Sequence, residues 1–95
     1  MIAVTVTFEI DPKRRDAFLD LVQRQAKASL ALEVQCTRFD ICVQADRANL
    51  IFLYEIYYNR QAFDAHLQSS HFRDFDRAAA NFIVHKQVDV WGVMD

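Results

Sequence analysis

The run LIFLYEIYY at Leu50–Tyr58 constrains the fold more than any other stretch of the chain. Read as a strand, it is apolar on both of its alternating faces. A strand of that kind belongs inside a sheet covered on both sides. Whatever the other elements are, two layers of cover must be found for it.

Those elements can be read from local pattern. Ile2, Val4, Val6, Phe8 and Ile10 alternate with Ala3, Thr5, Thr7 and Glu9, which predicts a half-buried strand. Asp11-Pro12 then starts a helix, with Asp11 as N-cap and Pro12 at the first helical position. The helix is expected to run to Glu33, with an apolar face of Phe18, Leu21, Val22 and Leu32. Arg38 to Gln44 reads as a second strand carrying Phe39, Ile41 and Val43 on one side, and Ala45–Asn49 as a hairpin loop leading into the third. Asn59 caps a short helix through Leu67, Ser69 or Ser70 caps another to Phe82, and Ile83–Val93 is the last strand. The order β-α-β-β-α-β, with its second helical region broken in two, predicts an α+β, ferredoxin-like fold. Helices would cover one sheet face. Nothing in the chain is left for the other, so a second copy is the expected cover, making a homodimer.

The 95 residues are expected to form one domain, 1–95. Of these, 53% are hydrophobic and eight are Phe, more apolar material than a small monomer easily hides. The net charge is -2, and Lys13-Arg14-Arg15 reads as a solvated helical turn, so no nucleic acid partner is expected. Cys36 and Cys42 fit no metal or redox spacing and read as small buried thiols. Gly92 and Pro12 are the only Gly and Pro, so the chain has no Gly-rich phosphate loop. No metal or cofactor is expected. The N-terminus lacks a signal pattern and no apolar run approaches a membrane span, which points to the cytoplasm and away from a membrane partner.

Several polar groups sit where apolar ones belong. At about 100° per residue, Gln25 and Ser29 fall near the centre of the apolar stripe of the first helix. Ser29 either bonds back to its own helix or, like Gln25, faces a wet cavity. Glu55 sits mid-strand and needs a partner or a raised pKa. It is either ion-paired with Arg38 or Lys86, or an acid or base in a pocket. His66 points inward from its helix. His71 follows Ser70, read as the cap, at a helix N-terminus, where a neutral ring is favoured. Together Glu55, His66 and His71, with three tyrosines and Ser29, predict a pocket with catalytic groups. His85, on the last strand, reads as an edge or interface residue.

The runs SLALEVQCTRFD (Ser29–Asp40) and FLYEIYYNRQAFDAHLQSSHF (Phe52–Phe72) resemble the antibiotic biosynthesis monooxygenase family. They are most similar to the branch that holds quinol monooxygenases and the autoinducer-2 processing isomerase. The resemblance implies a dimeric α+β barrel with a pocket between sheet and helices, and chemistry without metal or flavin. It implies that Glu55, His66 and His71 are the catalytic polar residues, and that Ser29, Phe39 and Tyr57 line the pocket. Gln35 departs from the family, which has Gly there. A haem-degrading branch uses an Asn-Trp-His set, whereas His66 and Asp76 occupy its Trp and His positions here.

The function expected from these readings is cofactor-independent monooxygenation of a quinol-like or polyphenolic small molecule. The alternatives are isomerisation of a phosphorylated hydroxyketone, with Arg38 or Arg24 holding the phosphate, and non-enzymatic binding of a small ligand.

Overall fold

The computed structural model describes residues 1–94. Strand β1 (Ile2–Ile10) leads into helix α1 (Arg15–Leu32); β2 (Cys36–Val43) and β3 (Leu50–Tyr57) form the hairpin. Helices α2 (Arg60–Gln68) and α3 (Ser70–Ala79) precede β4 (Ile83–Gly92). The four strands form one antiparallel sheet in the order β2-β3-β1-β4, with the three helices on one face. This is the α+β ferredoxin-like arrangement, and β3, apolar on both faces, occupies an interior position.

Strand parity explains the core. Val4, Val6, Phe8 and Ile10 of β1 and Ile51, Leu53 and Tyr57 of β3 are buried under the helices. Helix α1 meets them with Phe18, Val22 and Ala26, and Phe18 packs edge-on to Phe8 and Phe75 at 5.0 and 6.1 Å. The helices do not cover β4. Val88 and Val90 pair with Val6 and Val4 on the helix side, yet are 44% and 40% exposed.

Some sequence expectations change. Asp11 accepts a hydrogen bond from the Lys13 N–H, but the turn it caps is a short 3-10 helix over Pro12–Arg14, and α1 proper begins at Arg15. The buried stripe of α1 ends at Ser29, and Leu32 is 70% exposed. Periodicity continues through the last turn, but the packing surface does not. Cys42 is exposed whereas Cys36 is buried. Their even spacing would place both on one face, but a register shift between Cys36 and Arg38 reverses the parity: Cys36 pairs with Tyr57 and Cys42 with Phe52. The turn before β2 is made with Gln35, and no described non-glycine residue has a positive φ, so the missing Gly leaves no strain there. His85 is exposed on β4, an edge strand. No described helix is long and apolar enough to cross a membrane.

Candidate active site

A cavity of about 50 Å³ lies between the sheet and the helices. That is several times what one water needs. Phe39, Phe63, Phe72 and Phe75 supply much of its aromatic wall, and Gln25, Glu55, His66 and Lys86 its polar groups. Lys86 and Val88, on the uncovered β4, form one side.

Glu55 stands on the helix side of β3 because it shares parity with Leu53 and Tyr57. It is 3% exposed. The expected ion pair is not its partner: Arg38 faces the other side of the sheet and pairs with Asp40, and Lys86 pairs with Asp76 at 3.7 Å. The Tyr57 hydroxyl instead donates to Glu55 Oε1 at 2.6 Å. Burial pushes the Glu55 carboxyl up to about 7, against that hydrogen bond. Burial, with Glu55 beside it, also raises the Tyr57 phenol far above its usual range.

His66 is in the last turn of α2 and His71 in the first turn of α3. Ser69 sits between them as the C-cap of one helix and N-cap of the next, donating to His66 O at 2.6 Å and accepting from the Phe72 N–H at 3.2 Å. This break aims both imidazoles at one carboxylate. His66 Nδ1 lies 2.8 Å and His71 Nε2 2.5 Å from the same atom, Glu33 Oε2. An ionised carboxylate only accepts, so both facing nitrogens carry their protons. In a neutral His66 that leaves Nε2 with its lone pair, and no hydrogen bond from the described residues occupies it. Burial pushes the His66 imidazole below its usual pKa, against the pull of Glu33, which favours the neutral ring. Phe72, Tyr57 and Phe63 pack around this ring at centroid distances of 5.1, 5.3 and 6.2 Å.

Of the residues expected at the site, Gln25, Phe39, Glu55 and His66 line the one cavity. Three do not. The Ser29 hydroxyl donates to Gln25 O at 2.8 Å, a bond back to its own helix. Tyr57 lies behind Glu55. His71 lines a separate groove of about 310 Å³ between α1 and α3, with Arg24, Asp74 and Phe75 among its walls. His71 thus meets Glu33 from the first turn of α3 while lining the groove and not the cavity.

Sequence pattern alone assigns Glu33 no role. One signal was present: an acid at the C-cap of α1, where the helix dipole disfavours negative charge. Two imidazole N–H groups offset that cost. Glu33, His66 and His71 also offer three ligand atoms within 4.8 Å of one another, a set that could hold a divalent ion. Sequence spacing hid it because the ligands come from three different helix ends. Asp76, at the haem branch's His position, is exposed and paired with Lys86.

The fold has close structural counterparts. A Nitrosomonas europaea protein provisionally assigned as an antibiotic biosynthesis monooxygenase superposes with a TM-score of 0.94 at 23% identity, covering 100% of both chains. A Mycobacterium tuberculosis protein aligns with a TM-score of 0.90 at 25% identity over 99% of this chain and 95% of its own. A Caulobacter crescentus protein with the same provisional assignment reaches 0.94 at 16% identity, over 99% and 90%. No curated protein matches the chain. The sequence profile of the antibiotic biosynthesis monooxygenases matches residues 1–78, which span everything from β1 into α3, including Gln25, Glu33, Glu55, His66 and His71. With that match over most of its length, the chain belongs to the antibiotic biosynthesis monooxygenase family.

Proposed function

We propose that the protein is a monooxygenase of small electron-rich phenols or quinols, with His66 as its base and without a resident metal or flavin. One observation carries this reading: the His66 imidazole, fixed by Glu33 through Nδ1, presents an Nε2 that no described residue hydrogen-bonds in an aromatic cavity. A carboxylate behind a histidine sets its tautomer and stabilises the imidazolium that forms on proton uptake.

In this reading Nε2 takes a phenolic proton and the Lys86 ammonium stabilises the anion. The electron-rich ring passes electrons to O₂ and forms a carbon–oxygen bond. The resulting peroxide loses water, with Glu55, largely protonated below about pH 7, donating to the departing oxygen. One oxygen atom stays on the ring and the other leaves as water. Both electrons and both hydrogens for that water come from the substrate, so a quinol becomes a hydroxyquinone with no external reductant. His71, on the groove side of Glu33, offers a route for the proton to solvent.

The test is O₂ uptake with a quinol. His66→Ala should lower turnover at least about tenfold, the low end for a positioned base. A chelator should leave the wild-type rate unchanged. If the chelator abolishes turnover, the reading changes: an ion then sits on Glu33, His66 and His71. Full turnover in His66→Ala removes the proposed base.

A further inference from the structure

Gln25 is 4% exposed, and neither Oε1 nor Nε2 of its side chain has a hydrogen-bond partner. Among the described residues these are the only buried side-chain nitrogen and oxygen atoms in that condition. Folded chains rarely leave a buried amide wholly unpaired, because desolvating it without compensation is costly. The backbone around it is satisfied, since Gln25 O accepts from Ser29 Oγ. The anomaly therefore belongs to the side chain alone. That side chain lines the cavity with Glu55 and His66, and it is also part of the wall shared with the outer groove. No hydrogen bond from the described residues holds the amide, so turning its face toward a ligand breaks none of theirs.

We propose that Gln25 selects the substrate by pairing with two vicinal oxygens, one donating as a hydroxyl and the other accepting as a hydroxyl, oxo or oxide oxygen. A carboxamide presents one acceptor and one donor side by side in a plane. Its bidentate complement is a neighbouring donor and acceptor, the logic by which Gln reads the edge of adenine. A ring with vicinal oxygens satisfies both amide atoms. A 1,4-diol brings only one oxygen to the amide and leaves the other amide atom orphaned, and sites built around hydrogen bonds reject such analogues strongly. Two kinds of molecule carry this pair: an ortho-diphenol and an α-hydroxyketone. The assignment of the pair to a diphenol rests on the monooxygenase reading above; the pairing itself does not.

The experiment is calorimetric titration of the full chain, without O₂, against catechol, its isomer hydroquinone, and dihydroxyacetone, alongside the melting midpoint of the free protein. Catechol should bind at least about tenfold more tightly than hydroquinone, by the loss expected when one amide atom stays unpaired. Gln25→Met should erase that preference and raise the melting midpoint, because it removes an unpaired amide and keeps the volume. A Gln25-dependent preference for dihydroxyacetone over catechol would keep the pairing and assign it to hydroxyketones. Equal binding of catechol and hydroquinone overturns the proposal, as does no binding of any of the three. So does a Gln25→Met variant that keeps the preference, which would make the amide a structural orphan. An intact binding preference with no O₂ uptake in air would instead sink the monooxygenase reading and leave this one standing.

Discussion

Glu55 is destabilising to the folded chain wherever it must ionise. Its free carboxyl titrates near 4.5, and burial lifts it to about 7 in the fold. Between those values the unfolded chain has released its proton while the folded one keeps it. Stability therefore falls as pH rises through this window and levels off above it. Glu55→Gln keeps an acceptor for the Tyr57 hydroxyl and removes the titration. Its stability advantage over wild type should grow by roughly 2 kcal/mol between pH 5 and pH 8. Urea unfolding at the two pH values measures this, and an advantage that does not change with pH would contradict a raised carboxyl. The same proton governs chemistry in the proposed mechanism. Wild-type turnover should decline as pH rises through about 7, and Glu55→Gln should be slow with that alkaline limb absent.

The break between α2 and α3 does more for the site than either helix. A continuous helix would carry His66 and His71 around its axis by five residues, well over one turn. Ser69 stops the first helix and restarts the chain, so that both rings reach Glu33 Oε2. Its hydroxyl also lies 3.2 Å from His71 Nε2. Ser69→Ala removes a cap and should cost about 1 kcal/mol in stability. It should also lower turnover at pH 6, where the folded population remains high, because the rings lose their common aim. Paired unfolding and rate measurements check this. Normal turnover in a destabilised variant would mean that packing alone orients the histidines.

The helices cover one sheet face except along β4 and leave the other face open. On the open face Phe52, Tyr58 and Trp91 are 38%, 56% and 54% exposed, and Tyr54 and Ile56 are half-buried. Exposed aromatic side chains on one sheet face of a small chain favour a partner of the same kind, since a two-fold axis lays the face on itself. Light scattering at micromolar concentration should report the mass of two chains. Phe52→Glu, which puts a charge on that face, should shift it to one. A wild-type monomer would leave the open face unexplained.

Much of the fold was legible because its signals are local. Alternation in Ile2–Ile10, the Asp11 and Asn59 caps, and the two-faced Leu50–Tyr58 run each depend on neighbours a few residues away. Parity and helical phase likewise aimed Glu55, Gln25 and His66 at the space under α1. Phase and parity hold only while an element continues undisturbed, and a single register shift put Cys42 on the other face. Nor could pattern say that the buried surface stops at Ser29 and leaves Leu32 bare. The Glu33 hydrogen bonds to His66 and His71 span 33 and 38 residues of chain. Which side chains meet across such distances depends on how α1, α2 and α3 dock on the sheet, and docking is decided by the packing of all of them at once.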